Sequence, residues 1–283
     1  MNESTTWRAL TTGSTDEVVL AIDFDATGRP EARFADLAPH LGPDSTVWET
    51  VPLGMDALAG PTGEGYVKRW ADEVRASGRT VTAVMGFCAG GALAPALAAQ
   101  VGQWQPEPPL ILFDPETVTP LTMYWQFAKI IEVATSSLTP AELDEAREAG
   151  RQAQRDLGDL EPLADRLSEI FGQVGAVAFP RLGLDATSAA EVVTLFRSFI
   201  SYLCAAGQFD PLPAWSRATV LTSASPTSGL NGYRTINPQA PTNLAGDEIT
   251  FSVGHAGMLA DATVAATTRE LLARTRVLGG ARS

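Results

Sequence analysis

The sequence predicts an α/β fold built on a mostly parallel sheet and interrupted by a helical segment. Three observations carry this expectation. In the first part of the chain, short and nearly continuous apolar runs alternate with amphipathic stretches, as in a sheet buried on both faces and crossed over by helices. From about residue 121 to 210 only helical patterns occur. Strand character then returns and a last helix follows, so the helical stretch reads as an insertion, a common origin of lids and binding elements.

The elements follow in order. The run Glu17-Val18-Val19-Leu20-Ala21-Ile22-Asp23-Phe24 makes the first strong strand, and Asp25-Ala26-Thr27-Gly28 a loop. A helical stretch passes through Phe34, Leu37 and Ala38, and a second strand covers 46–53. Tyr66, Trp70 and Val74 recur four apart, which is one face of a helix, and Gly78 stops it. A third strand spans 80–85, an Ala-rich helix 90–100 and a fourth strand 109–113.

Inside the insertion, one helix opens at Thr139-Pro140-Ala141-Glu142. Thr139 can cap the Glu142 N–H, Glu142 can reach back, and Pro140 fits the first helical position. Ser188-Ala189-Ala190-Glu191 reads as a second capping box, and 159–174 as a further helix. Strands return at 218–222 and 248–253, and the last helix covers 261–277. The expected division is an N-terminal extension (1–16), a first core part (17–120), a helical lid (121–210) and a second core part (211–283).

Composition excludes several classes. With 45% apolar and 19% charged residues the chain is neither disordered nor fibrous. A net charge of −13 gives no basic footprint for nucleic acid and disfavours anionic membrane surfaces. The apolar runs look too broken for a membrane span, and no export signal is visible, so a cytoplasmic protein is expected. Two Cys and two His make no disulfide framework and no structural zinc motif, so neither metal nor cofactor is expected.

The sharpest motif is Gly86-Phe87-Cys88-Ala89-Gly90-Gly91, between a strand and an Ala-rich helix. It fits a glycine-flanked nucleophile in a tight strand-to-helix turn. Gly86 and Gly90 would avoid clashes of a Cβ with strand and helix. The helix start favours negative charge, so it would lower the thiol pKa of Cys88 and let the Ala89 N–H serve an oxyanion.

This region resembles the α/β-hydrolases, and the layout over about 17–277 is similar to the thioesterases of polyketide and nonribosomal-peptide assembly lines. The resemblance rests on the elbow at Cys88, an acid after the next strand, the helical insertion, and a late histidine in Val253-Gly254-His255-Ala256-Gly257. It implies Cys88 as nucleophile, His255 as base and Asp114 as orienting acid, with Glu116 in reserve. Cys88 Sγ and the imidazole are then expected within roughly 4 Å. The oxyanion donors would be the N–H groups of Ala89 and Ala26. The implied reaction is release of an acyl or peptidyl chain from a carrier-protein thioester, with a phosphopantetheine-linked substrate, through a Cys acyl-enzyme. Hydrolysis, aminolysis and cyclisation all remain open. The Met start and lack of a carrier signature suggest a free-standing enzyme.

Other residues have plainer readings. His40 sits at a helix end, and Cys204 reads as packing. Trp125, Phe127, Phe171, Phe196 and Phe199 could line an acyl pocket, although aromatics at helical spacing usually form core. Two alternatives stay in view: a dienelactone-hydrolase-like enzyme, whose Cys elbow is similar but whose acid comes from a later loop, and a hydrolase-fold binding protein without activity. Here that later loop, Ser223-Ala224-Ser225-Pro226-Thr227-Ser228, has no carboxylate.

Overall fold

The computed structural model of the chain describes residues 6–25, 31–52, 62–133 and 136–280. Seven described strands form one sheet: β1 (Trp7–Thr11), β2 (Glu17–Ile22), β3 (Val47–Thr50), β4 (Thr80–Phe87), β5 (Leu110–Phe113), β6 (Thr219–Thr222) and β7 (Asp247–Thr250). Their order is β1-β3-β2-β4-β5-β6-β7. All neighbours pair in parallel except β1, which lies antiparallel to β3. The N-terminal extension expected over 1–16 therefore contains an edge strand. Its Trp7 is buried, lies with its ring 6.3 Å from that of Trp70 and donates its indole N–H to the Trp70 carbonyl.

The helices are α1 (Phe34–Leu37), α2 (Gly63–Ala76), α3 (Gly90–Val101), α4 (Pro120–Val133), α5 (Pro140–Asp156), α6 (Leu160–Arg181), α7 (Ala186–Gly207), α8 (Leu212–Trp215), α9 (Gly229–Ile236) and α10 (Ala262–Gly280). The central strand β4 shows the two-faced burial of a covered sheet. Ala83, Met85 and Phe87 share a cluster with Phe34 and Leu37 of α1 and Val264 and Leu272 of α10. The other face of the sheet carries α3, which packs on β2, β4 and β5, with α2 beside it.

The chain divides into two compact units. Among the described residues, the first holds the sheet, with 6–25, 31–52, 63–117 and 209–280. The second holds 62, 118–133 and 136–208. In the second unit the four long helices α4 to α7 pack around aromatic side chains. Phe171 and Phe196 stack at 4.0 Å, and Phe127 meets Phe196 edge-on at 6.2 Å. Phe127, Phe171 and Phe196 are buried in this helical core and Trp125 is 37% exposed.

Several boundaries differ from the sequence expectation. The cap of α7 is Asp185, whose carboxylate accepts the Ser188 N–H at 2.8 Å, so the helix begins before the expected Ser188 box. The helix expected over 159–174 runs on to Arg181, and the short helices α8 and α9 add to the expected set. By length and composition alone α7 is apolar enough to cross a membrane. It carries Glu191 and Arg197, and packs along α6.

Candidate active site

The site grows from the ends of β4 and β5. At the end of β4 the backbone turns sharply into α3, and Cys88 takes φ +52°, a left-handed conformation uncommon for any residue with a Cβ. Gly86 makes the turn possible. A Cβ there would stand 2.8 Å from the Gly90 carbonyl oxygen and 2.9 Å from Gly91 Cα. Gly91 is needed as well, because a Cβ on it would meet Pro115 Cβ at 2.5 Å. The elbow is stitched to the end of β5: the Cys88 N–H donates to the Phe113 carbonyl at 3.1 Å, and the Cys88 carbonyl accepts from Gly91 and Glu116, both at 3.0 Å. Ala89 precedes the first turn of α3, where backbone donors have no partner within the helix.

Asp114 follows β5 directly. It is fully buried and holds φ +40°. Its N–H donates to the Leu221 carbonyl at 2.9 Å. Each carboxylate oxygen has a partner: Oδ1 accepts the Ser223 N–H and Oδ2 meets His255 Nδ1, both at 2.8 Å. A carboxylate can only accept, so Nδ1 carries the proton in this pair and Nε2 is left as the acceptor nitrogen. A buried anion satisfied in this way is a rigid anchor for the ring.

His255 opens a short 3-10 turn after β7, with its side chain 11% exposed. Its ring stacks on Phe87 at 4.7 Å, and its backbone N–H donates to Ser225 Oγ at 2.8 Å. Cys88 Sγ, a ring nitrogen of His255 and a carboxylate oxygen of Glu116 all lie within 4.8 Å of one another. Cys88 is in no disulfide and is half-buried. The structure thus brings Cys88, His255 and Asp114 into one cluster, and Asp114 rather than Glu116 is hydrogen-bonded to the imidazole. By donor type the thiol, imidazole and Glu116 carboxylate form a set that could hold a divalent metal ion.

The remaining sequence candidates separate cleanly. Ala26, the second expected oxyanion donor, lies outside the described residues. His40 is exposed at the end of a short helical turn. Cys204 is buried in α7, where burial and the charges of Glu161 and Asp165 push its thiol up to about 12, which suits packing and not nucleophilic attack.

Sequence reasoning missed the residues that hold the acid and the base. The loop after β6 has no carboxylate, but its Ser223 N–H and Ser225 hydroxyl fix Asp114 and His255. Asn231 in α9 clamps that loop by donating to the carbonyls of Ser223 and Ser225 at 3.0 and 3.3 Å. Backbone donors carry no residue identity, so only the clustering of Ser, Asn and Gly after β6 could have pointed to them.

No protein-family model matches the chain, and no curated protein matches it. Solved structures do. The Vlm2 thioesterase domain, bound with a dodecadepsipeptide, is 17% identical with a TM-score of 0.51, covering 95% of this chain and 97% of that one. A four-domain nonribosomal peptide synthetase bound to AMP and glycine gives 13% identity and a TM-score of 0.55 over 95% of this chain and 20% of that one. MenH from S. aureus gives 14% identity and a TM-score of 0.50 over 96% and 99%. At such identities the likeness establishes the fold: with its mostly parallel sheet and flanking helices, the chain has the α/β-hydrolase architecture.

Proposed function

We propose that this chain is a thioesterase or acyltransferase that releases an acyl or peptidyl chain from a carrier-protein thioester through a Cys88 acyl-enzyme. The observation that carries the reading is the cluster of Cys88, His255 and Asp114, with the thiol on a left-handed elbow residue and the imidazole held by a buried carboxylate. The Vlm2 thioesterase domain and the nonribosomal peptide synthetase among the structural neighbours support the substrate class.

In this mechanism the free nitrogen of His255 takes the Cys88 proton, and Asp114 stabilises the imidazolium. The thiolate sulfur attacks the thioester carbonyl and the Ala89 N–H faces the oxyanion. The carbon–sulfur bond to the carrier arm breaks, and the departing sulfur takes the proton from His255. The product is a thioester on Cys88, so the acyl group stays as activated as it arrived. Water, an amine or a hydroxyl then attacks it, with His255 as base, giving hydrolysis, transfer or cyclisation. Ala26 is the second oxyanion donor in this reading. The helical unit is the lid, a phosphopantetheine-bearing carrier is the partner and the cytoplasm is the compartment.

The test is intact-mass spectrometry after mixing the protein with a carrier-bound or N-acetylcysteamine thioester. An acyl adduct should form on Cys88 and be absent in Cys88→Ala. Turnover of Cys88→Ala at the wild-type rate refutes the nucleophile. Rapid hydrolysis of a dienelactone without any thioester turnover would favour the dienelactone-hydrolase reading instead.

A further inference from the structure

Glu116 has no task in the Cys–His–Asp set, yet its carboxylate lies within 4.8 Å of both the Cys88 sulfur and a His255 ring nitrogen. The chain holds it there from several sides. Pro115 rests against Gly91, the Glu116 N–H donates to the Cys88 carbonyl at 3.0 Å, and the Gly229 N–H approaches Glu116 Oε1 at 3.4 Å. Among the described residues no Arg or Lys forms an ion pair with Glu116. Arg8 and Arg33 of the same unit are engaged by Asp25, and Arg234 by Glu248.

A half-buried carboxylate beside a thiol works against the thiolate, because like charges repel. Asp114 already stabilises the imidazolium from its Nδ1 side. A carboxylate at this position is therefore useful when the substrate brings a positive charge with it.

We propose that Glu116 forms an ammonium subsite, and that the group loaded on Cys88 is an aminoacyl group with a free α-amine. This rests on the thioesterase reading and deepens it. In an aminoacyl thioester on Cys88 the amine nitrogen stands only three bonds from the sulfur, and a Glu116 carboxylate oxygen lies within 4.8 Å of that sulfur. The ammonium and carboxylate would form a charge-assisted hydrogen bond, stronger in a half-buried site than in open water. The bound cation would also cancel the repulsion between Glu116 and the thiolate at the moment of attack. The covalent step is the one above: the new carbon–sulfur bond forms at Cys88, the carrier sulfur leaves with the His255 proton, and the ammonium keeps its own protons.

The test uses the full chain and three N-acetylcysteamine thioesters, of alanine, N-acetylalanine and propionate. Loading of Cys88 is followed by intact mass in wild type and Glu116→Gln. Wild type should load alanine about tenfold or more faster than either neutral acyl group, and Glu116→Gln should lose most of that preference. Propionate loading in the variant reports whether its fold and chemistry survive. Equal loading of all three by wild type overturns the subsite, even if the variant fails to fold, and so does an alanine preference that persists unchanged in Glu116→Gln. A variant that loads all three like wild type but shifts propionyl-Cys88 from an added amine toward water would place the ammonium on the acceptor and overturn the aminoacyl assignment. If none of the three loads Cys88, the thioesterase reading itself falls. If propionate loads without discrimination, the thioesterase reading stands and the subsite alone falls.

Discussion

At Gly229 the backbone and the proposed chemistry meet. This residue holds φ +55°, and a Cβ on it would lie 2.7 Å from Asp114 Cα and 2.8 Å from Asp114 Oδ1. Asp114 is itself strained, at φ +40°, and its two hydrogen bonds leave it no room to yield without losing one. Gly229→Ala should therefore move the carboxylate that orients His255. The expected loss of stability is modest, about 1–3 kcal/mol, as for other overpacked sites. Loading of Cys88 should fall much further, about a hundredfold, since small misplacements in a catalytic set are costly. Thermal unfolding and acyl-adduct kinetics on the same variant separate the two. Kinetics that fall no more than stability does would show that Gly229 supports the fold alone.

Among the elements, α5 shows how a local signal survives folding. Thr139 Oγ accepts the Glu142 N–H at 3.3 Å and Glu142 Oε2 accepts the Thr139 N–H at 2.8 Å, the reciprocal cap that the sequence announces. Arg181, at the end of α6, forks onto both Glu142 oxygens at 2.7 and 2.9 Å and donates to the Ser137 carbonyl at 3.0 Å. These hydrogen bonds, with Arg181 foremost, draw the Glu142 carboxyl down to about 2. The support it gives is present above its ordinary value of 4.5 and is lost as pH falls toward 2. Thr139→Ala should cost about 1 kcal/mol and speed amide exchange in the first turn of α5. Unchanged exchange there would mean that Arg181 alone fixes the helix start.

The start of α7 is less legible for a related reason. Asp185 and Ser188 are both cap formers three residues apart, and the helix takes the earlier one. Strand β1 is hard to recognise because five residues at a sheet edge give too few positions to establish a period of two. The site is easier to read than the boundaries. With only two Cys and two His in the chain, each chemistry-bearing residue can be weighed individually. What stays hidden, the Ser223 N–H, Ser225 Oγ and the left-handed Gly229, acts through geometry that single residue types do not announce.

At the scale of the whole chain, one buried titrating group lies away from the thiol. Glu49, in β3, is completely buried and pairs with Arg8 of β1, which also holds Asp25. Burial raises the Glu49 carboxyl from 4.5 to about 7; Arg8 pulls the other way, and the nearby Asp23 and Asp25 charges add to the rise. The sign follows from proton counting. Between 4.5 and 7 the folded chain holds a proton on Glu49 that the unfolded chain has released, so stability must fall as pH rises through that window and level off above it. The loss attributable to this group is about 3 kcal/mol, because each pH unit across the window removes roughly 1.4 kcal/mol. Among the described residues, Glu142, Glu148, Asp185 and Glu248 titrate below their ordinary values, so their contributions change below that window. Denaturant unfolding of wild type and Glu49→Gln from about pH 4.5 to 8 measures the effect as a difference between two curves. The wild type should lose stability relative to the variant as the pH rises. A difference that stays constant across the window would mean that Glu49 is ionised throughout, with Arg8 outweighing the cost of burying it.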